Sequence, residues 1–207
     1  EQHVNVINTD KQYISAQQLL EWSYALAKQV MLDNFIPTFI IGIWRGGCPI
    51  GVAVQEFFKF FQIRTDHIAI RTSSYIGNKQ QSEIKVHGLE YVVEHANSHD
   101  KILLVDDIFD SGRSIKAALV ALQHRMRRNL PSDSRVATVL YKPKNNKTDI
   151  VPNYYISTTD RWVVFPHELE DMKINEIRLA KGDVVADIIL DTHKVRYGHT
   201  NNQNDTI

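Results

Sequence analysis

Three carboxylates and two hydroxyls are crowded into Asp106-Asp-Ile-Phe-Asp-Ser-Gly-Arg-Ser114, directly after the apolar run Lys101-Ile-Leu-Leu-Val105. A turn that opens a helix offers unpaired backbone N–H groups and a favourable dipole to a phosphate, and Ser111 and Ser114 add hydroxyl donors. Carboxylates beside such a cradle repel the ligand unless they bind its hydroxyls or a cation. Asp106, Asp107 and Asp110 therefore point to a phosphorylated sugar held with magnesium. Taken alone, Asp110 and Ser111 also suit an ordinary turn and helix N-cap.

The elements that must position these groups alternate. Strand-like runs at Thr38–Trp44, His67–Ile70, Lys101–Val105 and Arg135–Tyr141 take turns with helical patterns over Ile50–Phe61, Leu89–Ala96 and Ser114 to about Arg128. This predicts an α/β fold, a parallel twisted sheet with helices on both faces. Before it, Ser15-Ala-Gln-Gln18 reads as a capping box, and Leu19, Trp22, Leu26 and Val30 share one face of a helix ending near Asp33. Ligands of such sheets bind beyond the carboxyl ends of the strands, so Trp44-Arg-Gly-Gly47, Tyr141-Lys-Pro143 and the segment after Val105 should meet in one crevice.

Composition narrows the options. Among 207 residues, Lys+Arg 24 balance Asp+Glu 24, which excludes a globally basic nucleic-acid coat and a disordered polyelectrolyte. The longest stretch without a charge, Asn34–Trp44, falls short of the roughly 20 residues of a membrane helix, so no membrane partner is expected. A lone Cys48 excludes an internal disulfide and a cysteine-rich zinc site, and with a first segment unlike a signal peptide it sets the expectation of a cytoplasmic protein. His95 and His99 read as a solvated face. Arg125, Arg127 and Arg128 suit a helix C-terminus, with an RNA-binding patch the lesser reading, so nucleic acid is not the expected partner. Neither a Walker A sequence nor a Gly-x-Gly-x-x-Gly fingerprint is present.

Leu103-Leu-Val-Asp-Asp-Ile-Phe-Asp-Ser-Gly-Arg-Ser-Ile115 resembles the phosphoribosyl-pyrophosphate signature of the type I phosphoribosyltransferases, with Ser in place of the commoner Thr at 111 and 114. The resemblance implies that Asp106 and Asp107 hold the ribose hydroxyls with help from magnesium, while residues 110–114, including Gly112 and Arg113, wrap the 5′-phosphate. Gly42-Ile-Trp-Arg-Gly-Gly47 resembles the pyrophosphate loop, in which a strained peptide precedes Arg45 and the backbone at Gly46 and Gly47 faces the pyrophosphate; alone, it suits a plain strand-to-helix turn. Arg71-Thr-Ser-Ser-Tyr75 and the polar residues up to Ser82 resemble the mobile loop whose Ser74–Tyr75 pair closes over the reacting centre.

Tyr141-Lys-Pro143 and Asp160-Arg-Trp-Val-Val-Phe-Pro-His-Glu168 resemble the 6-oxopurine branch, especially bacterial xanthine-guanine and fungal hypoxanthine enzymes. They imply a base pocket in which Trp162 stacks on the purine, the Val163 backbone meets the base edge and Lys142 donates to the 6-oxygen. His167 stands where Trp is often found, and Glu168 takes the place of a carboxylate near a second magnesium or the base amino group. The expected organisation is a single phosphoribosyltransferase domain: a core at about 34–145, a hood at about 1–33 and 146–190 that carries the base pocket, and a peripheral tail at 191–207. The implied activity is magnesium-dependent purine salvage, with Asp110 near purine N7 as catalytic residue, in a homo-oligomeric dimer or tetramer. A non-catalytic regulator on this fold, sensing phosphoribosyl pyrophosphate and binding nucleic acid, stays open on the arginine cluster.

Overall fold

The computed structural model describes residues 10–76 and 82–198, the side chains of 75, 76, 82 and 83 excepted. In chain order it contains β1 (Lys11–Tyr13), α1 (Ala16–Leu32), β2 (Phe39–Trp44), α2 (Gly47–Phe60), β3 (Asp66–Ile76) and β4 (Ser82–His87). There follow α3 (Glu90–His95), β5 (Lys101–Phe109), α4 (Arg113–Met126), β6 (Asp133–Tyr141), β7 (Tyr154–Thr158), β8 (Trp162–Val164), α5 (Ile174–Lys181) and α6 (Asp183–Tyr197). The chain divides into two compact units, residues 20–160 and the remainder on either side.

The larger unit holds a six-stranded sheet in the order β4-β3-β2-β5-β6-β7, parallel except for β4. Because side chains alternate along a strand, Phe39, Ile41, Ile43, Ile102 and Leu104 line one face, where α3 and α4 add Val92, Ile115, Ala118 and Leu122 to a buried cluster. Ile40, Leu103 and Val105 point to the other face, and α2 packs on β2 and β5 with Ile50, Val54 and Phe58 buried. Helix α1 buries Leu19, Leu26 and Val30, and the Gln18 N–H donates to the Ser15 hydroxyl at 3.1 Å, the cap that the sequence implies.

Several expectations need correction. The Arg71–Tyr75 stretch is strand, not loop: Thr72 pairs with Val86 and Ser74 with Ile84, so β3 and β4 form a hairpin arm in which each supplies the other's backbone hydrogen bonds. Helix α2 begins at Gly47 rather than Ile50, since Pro49 sits in the first turn, where its missing N–H has no helical partner to lose. The expected hood is also too wide. Residues 20–33 and 146–160, β7 included, belong with the sheet. Arg135 of β6 explains this: it pairs with Asp133 at 3.0 Å, donates to Asp33 and to the Tyr154 hydroxyl at 2.5 Å each, and lies over the Phe35 ring. The tail begins as helix, since α6 runs on to Tyr197 with residues 191–198 mostly exposed; residues 1–9 and 199–207 lie outside the described residues.

The smaller unit pairs β1 with β8 in parallel and packs Val164, Met172, Ile177 and Ala186 into its own core. Its ionic anchor is Glu176, which accepts from Lys11 Nζ at 2.7 Å and from the Tyr13 hydroxyl at 2.6 Å. Burial and the Glu176 hydrogen bond push the Tyr13 hydroxyl up to about 12. Burial pushes the Glu176 carboxyl up as well, but its hydrogen bonds from Lys11 and Tyr13 outweigh that and hold it below its ordinary 4.5. A carboxylate whose pKa falls on folding contributes stability above the unfolded value and loses it as pH drops through the folded one. The gap in melting temperature between the native chain and Glu176→Gln is therefore expected to narrow as pH falls below 4.5. A gap constant from pH 6 to 3 would contradict this.

Candidate active site

The site forms where β2, β5 and β6 end on the same edge of the sheet. Strand β5 runs past Val105, so Asp106 and Asp107 lie on its last turn of pleat, and Asp106 sits in register with Thr138 of β6. Each acid is steadied locally: Asp106 Oδ1 accepts from the Asp107 N–H at 2.9 Å, and Asp107 Oδ1 from the Ile108 N–H at 2.7 Å. Burial, followed by the charge of Asp107, raises the Asp106 carboxyl well above the usual carboxylate range. A divalent cation with oxygen ligands relieves that repulsion, so the pair fits magnesium completed by substrate oxygens and water. Among the described residues no three carboxylates, histidines or cysteines gather as a metal site. Glu168 Oε2 accepts from the Phe165 N–H of its own loop at 3.0 Å.

The turn after β2 lies against these acids. The Trp44–Arg45 peptide is cis, and Trp44 and Arg45 are exposed. At Gly46 a Cβ would come within 1.7 Å of Asp107 Oδ2, and at Gly47 within 2.2 Å of the Val105 carbonyl oxygen. Two backbone units thus pass side by side with no room for a side chain, which leaves the N–H groups of the turn beside the carboxylates.

The third wall is the turn Asp110–Ser114. Gly112 takes φ +75°, a left-handed conformation, and a Cβ there would meet the Phe109 ring at 2.5 Å. This bend lets Arg113 open α4, with Ser111 and Ser114 half-buried at its first turn. From β6, the Lys142 N–H donates to the Phe109 carbonyl at 2.8 Å and the Lys147 N–H to that of Ser111 at 2.9 Å. The Lys142 ammonium, with only 13% of its side chain exposed, reaches Asp110 Oδ2 at 3.3 Å, and the Asn145 amide donates to Asp110 Oδ1. The structure thus brings together Arg45, Gly46, Gly47, Asp106, Asp107, Asp110, Ser111, Gly112 and Lys142. Sequence reasoning missed Asn145; its only signal is the Lys-Pro-Lys-Asn-Asn turn after β6. Ser74 is an exposed strand residue of β3, and the Tyr75 side chain lies outside the described residues.

Trp162, Val163 and Glu168 belong to the smaller unit. Trp162 opens β8 with 68% of its surface exposed, so it is not core packing, whereas Val163 is buried in register with Gln12 of β1. The loop that follows is tied down at its start. Lys181 of α5 donates to the carbonyls of Phe165 at 2.9 Å and Pro166 at 3.1 Å, and burial lowers its pKa. Lys181→Met leaves the Pro166 carbonyl without this partner and the Phe165 carbonyl with the Glu168 N–H at 3.1 Å, and is expected to cost about 1–3 kcal/mol. A thermal melt reads this loss, and Lys181→Arg should restore most of it; a Met variant as stable as the native chain would show that the ties contribute nothing.

Known proteins place this geometry. The phosphoribosyl transferase domain family matches residues 11–171. The hypoxanthine-guanine phosphoribosyltransferase of Lactococcus lactis subsp. lactis (strain IL1403) is 28% identical over 148 residues, 70% of this chain and 74% of that protein. Among solved structures, a purine phosphoribosyltransferase from Pyrococcus horikoshii Ot3 superimposes with a TM-score of 0.64 at 23% identity, covering 79% of this chain and 98% of that one. The Helicobacter pylori xanthine-guanine-hypoxanthine phosphoribosyltransferase gives 0.57 at 21% identity, covering 75% and 90%. At these identities the structural likeness speaks to the fold alone.

Proposed function

Because this chain belongs to the phosphoribosyl transferase domain family, we propose that it performs purine salvage, moving the 5-phosphoribosyl group of phosphoribosyl pyrophosphate to hypoxanthine, guanine or xanthine. The observation that carries the reading is the meeting of the Gly46–Gly47 turn, the Asp106–Asp107 pair and the Lys142-held Asp110 at one edge of the sheet. The relative from Lactococcus lactis supports the 6-oxopurine class.

In this reaction the bond from ribose C1 to the pyrophosphate oxygen breaks, a bond from C1 to purine N9 forms, and the purine releases one proton. No covalent nucleophile on the protein is needed; the tasks are alignment and charge stabilisation. Asp106 and Asp107 bind the ribose hydroxyls and would hold magnesium, and in the resemblance Glu168 stands near a second magnesium or the base amino group. Magnesium, when bound, neutralises charge on the leaving pyrophosphate. Arg45 and the N–H groups of Gly46 and Gly47 bind the same group. Ser111, Gly112, Arg113 and Ser114 hold the 5′-phosphate at the start of α4, and Ser74 and Tyr75 cover the reacting centre. Asp110 accepts or shares the proton at N7. Lys142 binds the 6-oxygen, and what the resemblance implies is that Trp162 stacks on the base and the Val163 backbone meets its edge.

Nucleotide formation from phosphoribosyl pyrophosphate and magnesium, with hypoxanthine, guanine, xanthine, adenine and orotate in parallel, tests the assignment. Turnover with one or more 6-oxopurines but not adenine is the expected result. Silence with all five, from folded protein that still binds phosphoribosyl pyrophosphate, overturns it in favour of the regulator. No helix among the described residues is long and apolar enough to cross a membrane. A homo-oligomer is supported by the exposed Phe60 and Phe61 rings at the end of α2, with centroids 5.3 Å apart and the half-buried Phe57 ring 5.2 Å from Phe61. Sedimentation of a monomer at working concentration would contradict it.

A further inference from the structure

Where α4 lies beside β4, the sheet unit carries an open groove of about 870 Å³ whose lining holds no carboxylate among the described residues. Five of its side chains are cations: Lys85 on β4, Arg113, Lys116 and Arg125 on α4, and Lys147. His87 and His124 add two imidazoles, and Val86, Ala117, Val120 and Ala121 make an apolar floor between the walls. In a chain of zero formal charge this is a local concentration. Lys116 and Arg125 are tied to Asp149 at 2.5 Å and Glu90 at 2.8 Å, both outside the lining. Arg113 and Lys147, at the end nearest the phosphate turn, have no carboxylate partner among the described residues.

We propose that this groove binds a single-stranded nucleic acid. The α4 cations Arg113, Lys116 and Arg125 span about 18 Å of helix and are faced by Lys85 on β4 and by Lys147, a spread that suits a polymer charged along its length. An acidic peptide carries charge on only some of its residues. The apolar floor, the two imidazoles and the two guanidiniums are flat or greasy surfaces on which unpaired base faces lie, whereas a duplex keeps those faces hidden. Lys85 and Lys147 then meet phosphates, and Lys116 does so by exchanging Asp149 for a third. The groove lies on the β4 side of α4 and shares only Arg113 with the residues assigned to phosphoribosyl transfer, so the inference stands whether or not that assignment holds.

The probe is a fluorescein-labelled dodecamer of uridylate, read by polarisation from 50 to 200 mM salt. Three lysine–phosphate contacts predict a slope of log affinity against log salt of about −2. The double variant Lys85→Glu/Lys147→Glu should bind about tenfold more weakly, with a slope shallower by about 1.4. His124→Ala, which removes no lysine, should weaken binding about fivefold with the slope unchanged. All these side chains are exposed, and a thermal melt of each variant checks its fold. Absence of binding, binding indifferent to the double variant, or equal affinity for a duplex or inorganic polyphosphate of matched charge would overturn the proposal.

Discussion

Replacing Asp110 with Asn is expected to lower kcat by about 100-fold or more, while the affinity for phosphoribosyl pyrophosphate stays within about threefold of the native value. The carboxylate sits at the bend between β5 and α4, and both its oxygens are occupied, one by the Lys142 ammonium and the other by the Asn145 amide. Two donors therefore fix its plane, so that it meets an incoming purine with its direction already set. An amide at this position keeps the size but puts an NH2 group against one of those donors and cannot take up a proton. Binding of phosphoribosyl pyrophosphate, which the reading assigns to the turn backbones, Arg45, the Asp106–Asp107 pair and residues 111–114, leaves the Asp110 side chain aside. Initial rates with saturating base, together with a direct binding titration, separate the two quantities. Equal losses in kcat and affinity would make Asp110 a structural residue of the phosphate turn.

The second large effect is expected at Gly47. In Gly47→Ala the new methyl would stand 2.2 Å from the Val105 carbonyl oxygen and 3.0 Å from the Asp106 Cα, both backbone atoms of a central strand. Neither can rotate away, so α2 and the turn before it must move off the end of β5. Overpacking of this kind costs about 1–3 kcal/mol of stability. A shift on the order of 1 Å in positioning groups costs about 100-fold in kcat/KM. Gly46→Ala should be milder in stability, because the atom that it meets is the Asp107 carboxylate, a side chain that can swing aside. Gly51→Ala, in the same helix, is the control: its methyl would find its nearest neighbour at 3.8 Å, and losing a helical glycine stabilises by up to about 1 kcal/mol. A Gly47→Ala enzyme with native kcat/KM would show that the close approach of turn and strand is not needed.

Much of the sheet unit is legible in the sequence because its local signals agree. The apolar, β-branched runs at Phe39–Trp44 and Asp133–Tyr141 can only be satisfied as strands buried on both faces, and the helices between them carry apolar residues at helical spacing. The β3–β4 arm was not legible: Arg71–Ser74 are polar enough to read as loop, and only the pairing with Ile84–His87 across the hairpin makes them strand. The width of the hood was equally hidden, since it depends on Arg135 reaching Asp33 and Tyr154, residues far away in the chain.

By itself the sequence determined the kinds of group at the site and their order along the chain: acids after one strand, glycines after another, a lysine after a third, and a Ser-Gly-Arg-Ser turn entering a helix. Strand and helix periodicity are local properties, and a parallel sheet brings successive strand ends to one edge whatever the details of packing. Only the tertiary structure decided which groups touch. The Asp107 carboxylate over Gly46, the Lys142–Asp110–Asn145 contact and the basic groove between β4 and α4 each join segments separated along the chain. Such contacts are set by strand register, by the left-handed bend at Gly112 and by the exclusion of side chains where backbones pass, none of which leaves a periodic trace in composition.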